Sequence, residues 1–190
     1  MSSSDPSAEE RERLGKLFPI EIVKYDPVWP RLYEEEAKFL RERFGPEAIV
    51  RIEHYGSTAV PGLAAKPVID ILVEITSFEA AEREIVPVLD NLGYRHDWYK
   101  DHLAFFKGYF SDNPVKYHLH MAPGDHRLWE GLLFRDYLRT HPETAKEYEE
   151  LKYRLAEEHH FDREAYTDAK TAFVLEITAR AKRELGGNAW

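Results

Sequence analysis

The sequence predicts an α+β fold in which a mixed sheet is flanked by helices and followed by a helical C-terminal part. Two runs rich in apolar, β-branched residues, 49–55 and 68–75, are typical of strands, the second of them buried on both faces. Two more apolar runs flank Ser-Asp-Asn-Pro at 111–114, a strong turn signal that predicts a β-hairpin. From Asp125 onward the pattern becomes helical.

The elements follow in order along the chain. Residues 1–16 are rich in Ser, Glu and Arg, which predicts a disordered tail and one domain over residues 17–190. Gly45-Pro46 and Gly93 are expected to end the first two helices. The pattern predicts strands at 19–25, 49–55, 68–75, 103–110 and 115–121, and helices at 29–44, 78–92, 126–140, 142–158 and 163–185.

Composition narrows the function classes. The 190 residues are 43% hydrophobic and 32% charged, which is ordinary for a globular protein. A net charge of -9 repels polyanions, so we expect no broad nucleic-acid binding. The absence of cysteine excludes disulfides, thiol nucleophiles and thiolate metal sites. No apolar run is long enough to cross a bilayer, so we expect a cytoplasmic protein without membrane contact. The sequence does not determine the oligomeric state.

The most informative segment runs from His54 to Glu74. It predicts a strand ending at Gly56-Ser57, a loop, and a second strand that carries Asp70. Glycine lets a ligand approach the backbone closely, and a carboxylate just beyond the turn can hold a divalent metal that in turn holds phosphates. The segment therefore predicts a phosphate-handling site built on a sheet.

Asp70 and Glu74 project from the same face of the second strand, because side chains two or four apart share a face. At ~3.3 Å per residue they lie about 13 Å apart, too far to bind one ion. Asp70 is therefore the candidate metal ligand, and its alternative is a structural acceptor for loop amides. Glu74 is expected to mark the exposed end of the strand.

His118 and His120 lie two apart on a predicted strand, so both rings face the same side. This geometry suits shared metal ligation or phosphate contact, and it also suits an ordinary surface pair. His54 beside the Gly-Ser turn is more often a hydrogen-bonding structural residue than a ligand.

Polar groups around the loop could contact an anion. Ser57 and Thr58 can donate hydroxyl and backbone N–H bonds, and Lys66 can meet a phosphate or remain solvated. The segment contains neither a P-loop sequence nor an obvious Ser/His/Asp relay, so we predict no hydrolase triad.

The last predicted helix places Lys170 in an apolar stripe with Tyr166. A lysine in such a stripe either extends its head to solvent or meets a negative partner, such as Asp70 or a bound phosphate. Arg135 could also point back toward the sheet. Tyr148 and Lys152, four residues apart, are expected to form an ordinary surface pair.

Four blocks, HYGSTAVPGLAAKPVIDILV at 54–73, YHLH at 117–120, FRDYLR at 134–139 and YTDAKTAF at 166–173, together resemble the GrpB family. The resemblance covers about residues 20–181 and keeps the family's order. It implies a branch of the nucleotidyltransferase superfamily, with a polymerase-β-like mixed sheet flanked by helices. Members also occur fused to dephospho-CoA kinase.

In that superfamily a Gly-Ser turn holds the nucleotide phosphates, and Gly56-Ser57 matches it. Two carboxylates two residues apart follow on a strand, and Asp70 matches the second of them. The first falls on Val68, which cannot bind metal, and a third carboxylate falls on His118 or His120. Imidazole ligands would shift the preferred ion from magnesium toward manganese, zinc or nickel.

The resemblance implies a transferase that moves a nucleotidyl group from an NTP to an unidentified acceptor with a divalent metal. Asp70 is then the metal ligand, and His118 or His120 is an auxiliary ligand or base. The remaining candidates would bind substrate or neutralise phosphate charge: Gly56, Ser57, Thr58, Lys66, Arg135, Tyr166 and Lys170. The missing carboxylate leaves two alternatives, a non-catalytic nucleotide-, phosphate- or metal-binding accessory domain and a different metal chemistry using Asp70 and the histidines.

Overall fold

The computed structural model of the protein describes residue 13 and residues 15–109 and 115–185. The predicted tail 1–16 lies mostly, and the turn 111–114 entirely, outside the described residues. The helices are α1 (Trp29–Ala48), α2 (Phe78–Glu84), α3 (Val86–Asn91), α4 (Gly131–Thr140), α5 (Pro142–Glu158), α6 (Arg163–Ala169) and α7 (Thr171–Leu185). The strands are β1 (Ile49–Tyr55), β2 (Val68–Ile75), β3 (Arg95–Tyr99), β4 (His102–Lys107) and β5 (Lys116–Ala122), and 3₁₀ turns cover Ser57–Ala59 and Arg127–Glu130.

The described strands form one five-stranded sheet in the order β1-β2-β5-β4-β3. The pair β2–β5 is parallel, and the other neighbouring pairs are antiparallel. The predicted α+β class with a mixed sheet is confirmed. In the parallel register Asp70 lies opposite His118, and Leu72 lies opposite His120. Because alternate residues share a face, Asp70 and both histidines project from the same side of the sheet.

The two faces of the sheet differ in chemistry. One face packs against α1, α2 and α3 in the main hydrophobic core, where Leu40 and Leu89 from the helices meet Ile71 and Leu119 from the strands. These four side chains are fully buried. The opposite face carries Asp70 and the histidines, and it is covered only in part by the C-terminal helices. A polar site thus lies over a rigid apolar layer.

One predicted strand is wrong and one observed strand was not predicted. Residues 19–25 do not join the sheet, and Val23 instead forms an isolated bridge with Ala65 in the loop before β2. Strand β3 was not predicted, because its residues Arg-His-Asp-Trp-Tyr lack an apolar alternation. All five are exposed at the edge of the sheet, so pairing with β4 rather than burial determines the strand.

Several predicted helices are interrupted. The helix at 78–92 divides after Glu84, and Pro87 in the first turn of α3 cannot donate an intrahelical hydrogen bond. The helix at 126–140 begins as a 3₁₀ turn, and the helix at 163–185 divides at Lys170. In α1 the backbone leaves the helical region at Gly45 (φ 69°), where the helix was expected to end.

No helix among the described residues is both long enough and apolar enough to span a bilayer.

Candidate metal and anion site

The site is centred on the parallel strands β2 and β5. Asp70, His118 and His120 each offer a ligand atom, and these atoms lie within 4.8 Å of one another. Asp70 Oδ1 is 3.2 Å from His118 Nδ1 and 3.9 Å from His120 Nε2. Their side chains are largely buried, with exposed fractions of 26%, 17% and 15%. One carboxylate and two imidazoles are a donor set that suits a divalent transition metal.

Each histidine has a partner on the far side of its ring. His118 Nε2 lies 2.5 Å from the Tyr109 hydroxyl, and His120 Nδ1 lies 2.9 Å from His102 Nε2. Metal-binding histidines in proteins are typically held in this way by a hydrogen bond at the other ring nitrogen. The chemistry and the support of these side chains therefore fit a bound divalent ion.

Burial alone would raise the pKa of Asp70, but hydrogen bonds and charge from His118 and His120 outweigh it and lower the pKa far below its usual range. The carboxyl is thus ionised at every physiological pH. Burial lowers the pKa of His118 against the opposing pull of Asp70. An ionised carboxylate beside the His118 imidazole, which resists protonation, is the protonation state that metal binding requires.

The Gly-Ser turn is built against this carboxylate. Gly56 has φ 69°, and a Cβ at this position would collide with the Asp70 side chain. Arg139 donates from Nε and Nη2 to the Ala59 carbonyl oxygen, at 3.0 and 2.8 Å, which ties α4 to the 3₁₀ turn. Glycine at residue 56 is needed for both the backbone conformation and the close approach.

Thr58 and His54 hold the turn from behind. The Thr58 hydroxyl donates to the Val68 carbonyl oxygen at 3.2 Å and lies 3.1 Å from His54 Nε2. His54 stacks on Tyr33 of α1, and burial lowers its pKa to about 4. Both side chains are buried on the core side of the turn. These contacts give His54 a structural role and weigh against direct substrate contact by the Thr58 side chain.

Glu74 lies apart from the metal-type cluster, since the cluster in the described residues contains only Asp70 and the two histidines. A Cβ at Gly124 would meet the Glu74 carboxylate, which places Glu74 at the far end of the strand beside the loop after β5. Between them Leu72 is fully buried against Trp129 and Leu132. An apolar contact thus separates the two carboxylates of β2.

A lysine cluster lines the other side of the same cleft. The ammonium nitrogens of Lys170 and Lys66 lie 4.1 and 5.2 Å from the centre of the Tyr166 ring. Burial, followed by the repulsion of neighbouring cations, lowers the pKa of Lys170 to about 7 and that of Lys66 to about 8. Asp70 acts in the opposite direction on both pKa values. Lys170 therefore lies within electrostatic reach of Asp70, as the helical stripe suggested.

Lys152 is the third member of the cluster, and the expectation that it forms a surface pair with Tyr148 was wrong. Both side chains are buried, with exposed fractions of 2% and 5%. Lys152 donates to the Ala64 carbonyl oxygen, and burial lowers its pKa to about 7. The spacing of four residues is the same for a buried and an exposed pair, so the pattern could not distinguish them.

Arg135 has a different environment. Its guanidinium donates to Glu53 at 2.9 Å, to both carboxylate oxygens of Asp136 at 2.7 and 2.9 Å, and to the His54 carbonyl oxygen at 2.8 Å. The side chain is 5% exposed. These bonds join α4 to β1 and weigh against the predicted role of Arg135 in substrate binding.

The cleft also contains groups that sequence reasoning missed. Tyr109 follows β4, and Arg163 donates to its hydroxyl at 3.4 Å and covers its ring. Lys152 comes from α5 and His102 begins β4. The first three line the cleft together with the predicted Ser57, Lys66, Tyr166 and Lys170. Of these groups, only Lys152 had a sequence signal, its spacing of four residues from Tyr148.

Comparisons with known proteins agree with the resemblance. A family model described as "GrpB protein" matches residues 19–180. A UPF0157 protein of Halalkalibacterium halodurans is 37% identical over 95% of each chain. The crystal structure of conserved protein GrpB from Enterococcus faecalis matches with a TM-score of 0.77 and 31% identity, over 87% of this chain and 99% of that one. A dephospho-CoA kinase of Mycolicibacterium paratuberculosis is 27% identical over 86% of this chain and 46% of its own length.

Proposed function

The chain belongs to the GrpB family, and from this premise we propose that it is a metal-dependent nucleotidyltransferase acting on an NTP and an acceptor yet to be identified. One observation carries the proposal. A carboxylate–histidine cluster of metal-binding type lines the same cleft as three lysines that form no ion pair with any described residue, of which Lys152 is buried and Lys66 and Lys170 are half-buried. A metal–polyphosphate complex is a ligand that would use both.

The metal would be held by Asp70, His118 and His120. When bound, a divalent ion supplies Lewis-acid polarisation of a phosphoryl oxygen. The imidazole nitrogens favour manganese, zinc or nickel over magnesium, because softer nitrogen ligands suit transition ions. The position of Val68, which is buried and apolar in β2, limits the site to fewer carboxylates than a two-metal centre needs.

The phosphates would lie between the Gly-Ser turn and the lysines. Gly56 keeps the turn free of a side chain, and the Ser57 hydroxyl, which interacts with Tyr148, lines the cleft. Lys66 and Lys170 would neutralise phosphate charge from the faces of Tyr166. Burial of these ammonium groups without a paired anion is costly, and a phosphate would offset that cost.

The chemistry would follow from this placement. The acceptor oxygen would form a bond to the α-phosphorus while the bond to pyrophosphate breaks, and the acceptor proton would pass to a basic group of the cleft. Pyrophosphate would leave on the lysine side, where Lys170 and Lys66 can stabilise its charge.

A second candidate is a non-catalytic ligand-binding domain. Two observations favour it: Val68 occupies the position of a metal-bridging carboxylate, and the chain matches about half the length of a dephospho-CoA kinase. In this role the same cleft would bind a metal or a phosphorylated ligand without turnover.

The test is calorimetry and thermal stabilisation with ATP, GTP, CTP and UTP, each with magnesium, manganese or zinc, beside a search for pyrophosphate release. We expect metal-dependent NTP binding that falls by more than ~100-fold in Asp70→Asn, since a direct ligand should cost more than an outer one. Glu74→Gln is the matched control, because Glu74 lies on the same strand and face outside the cluster.

The outcomes separate the two candidates. Binding and pyrophosphate release that are both lost in Asp70→Asn support the transferase. Saturable binding without product across all metals and a broad set of acceptors supports the binding domain. Equal effects of Asp70→Asn and Glu74→Gln would contradict a metal site at Asp70.

A further inference from the structure

A row of polar side chains, joined by one hydrogen bond and by close charged contacts, leads away from the metal-type cluster toward the surface. His120 Nδ1 lies 2.9 Å from His102 Nε2, and His102 Nδ1 lies 3.6 Å from Asp101 Oδ1. His102 is 4% exposed, at the start of β4. Asp101 is held in turn by Arg127, at 2.6 Å, and has His126 at 3.7 Å.

We propose that Asp101 and His102 are positioning residues that set the proton on His120 so that its Nε2 carries the lone pair aimed at the metal. The inference rests on the metal site of the proposed function. It goes further by assigning which nitrogen binds and which residues determine this.

When both rings are neutral, a single proton lies between His120 Nδ1 and His102 Nε2. One of these two nitrogens donates it and the other accepts it. Asp101 accepts and cannot donate, so it favours the form of His102 with its proton on Nδ1. His102 Nε2 then accepts, His120 Nδ1 donates, and His120 Nε2 is left unprotonated.

The reverse arrangement leaves worse contacts. With its proton on Nε2, His102 would turn the lone pair of Nδ1 toward the Asp101 carboxylate. His120 would then direct its Nε2 proton toward Asp70 Oδ1, which lies 3.9 Å away, beyond hydrogen-bond range, and which already faces His118 Nδ1 at 3.2 Å. Asp101 is also the nearer carboxylate, at 3.6 Å from its histidine. The described contacts therefore favour a site that is ready for metal before metal arrives.

The first measurement is long-range ¹H–¹⁵N NMR of the metal-free protein, at a pH where the imidazoles are neutral. We expect His120 to carry its proton on Nδ1 alone, and His102→Leu to turn His120 into a mixture of both forms. Because this spectrum contains no metal and no nucleotide, its outcome is separate from that of the proposed function. A proton on Nε2 of His120 in the unaltered protein would overturn the inference.

The second measurement is zinc affinity, read by competition with a coloured chelator. His102→Leu should weaken zinc binding by ~10–100-fold, the usual cost of losing an outer partner of a ligand. His102→Gln should lose less than ~10-fold, since the amide oxygen of Gln can still accept the proton of His120 Nδ1. His96→Leu on the exposed edge strand β3 is the control and should change nothing.

Rescue by Gln distinguishes hydrogen bonding from packing. Equal losses in His102→Gln and His102→Leu would show that the ring only fills space and would overturn the inference, as would no loss in either variant. Absence of zinc binding in the unaltered protein would overturn the metal role of the relay and the proposed metal site together. Zinc binding that follows the expected order without nucleotide turnover would sustain the inference and contradict only the transferase.

Discussion

Two groups of cations near the Gly-Ser turn, Arg135 and Arg139 on one hand and Lys66, Lys152 and Lys170 on the other, are held in opposite ways. Arg135 and Arg139 from α4 are bonded to carboxylates and to backbone carbonyl oxygens. Lys66 and Lys170 rest on an aromatic ring, and Lys152 donates to one carbonyl oxygen. Within the described part of the chain, no carboxylate forms an ion pair with any of the three lysines.

The difference separates cations that hold the fold together from cations that have no ion-pair partner among the residues that the structure describes, which the proposed function assigns to a ligand. Burial of a charge is expensive unless a partner compensates it, and the arginines are compensated by Glu53 and Asp136. The lysines respond to burial by a lowered pKa instead. We expect the unfavourable free energy of burying these lysines to be offset when an anion binds in the cleft.

The largest expected effect is the loss of folding stability when one of the paired arginines is removed. Arg135→Met should lower the free energy of unfolding by about 3–5 kcal/mol, because it leaves Glu53 and Asp136 without their buried partner. Urea denaturation measures the loss. Arg31→Met is the control, since Arg31 pairs with Glu35 on the exposed face of α1 and should cost less than ~1 kcal/mol. Similar small losses in both variants would show that the buried arginine does not hold α4 to β1.

Removal of a cleft lysine is expected to affect anion binding and not stability, the opposite of Arg135→Met. Lys170→Met should weaken binding of inorganic tripolyphosphate in EDTA by ~10–100-fold, the value of one charged hydrogen bond. Stability should stay unchanged or rise, because the variant removes a half-buried charge that has no described ion-pair partner. Lys146→Met on the exposed face of α5 serves as the matched control. A stability loss as large as that of Arg135→Met would mean that Lys170 is structural.

The smallest expected effect is the pH dependence of tripolyphosphate binding, which tests the lysines again. The pKa of Lys66 is lowered to about 8, and those of Lys152 and Lys170 to about 7. A bound polyphosphate raises these pKa values, so binding takes up protons between about pH 7 and pH 9. Tripolyphosphate affinity should fall as pH rises, by at most ~10-fold per pH unit for each proton taken up.

Calorimetry in two buffers of different ionisation enthalpy measures this uptake directly. Lys170→Met should reduce the number of protons taken up, whereas Lys146→Met should not. Proton release, or affinity that rises with pH over this range, would contradict a role for neutral lysines in the cleft.

The local hydrophobic pattern was sufficient to predict the helices and strands in which buried residues recur at a regular spacing. Strands β1, β2, β4 and β5 and helix α5 lie where apolar runs or helical spacing placed them, because the hydrophobic period reflects which face is buried. Strand β3 was missed, since exposed edge residues have no such period. The breaks after Glu84 and at Lys170 were missed as well, because Ile85 and Lys170 keep right-handed helical backbone angles and the overall spacing is almost unchanged.

For the site, the sequence determined what lies close along the chain. It placed Gly56-Ser57 before Asp70 and put His118 and His120 on one face of a strand, since the period of a strand is short and local. The family, too, could be read from its blocks of residues.

Only the tertiary structure decided which distant groups meet. The parallel register of β2 and β5 brings His118 opposite Asp70, and the packing of α5, α6 and α7 brings Lys152 and Lys170 to the same cleft. Packing also assigned Arg135 to the fold and Lys152 to the interior. Register, burial and charge pairing depend on contacts between residues far apart in the chain, and no local pattern contains them.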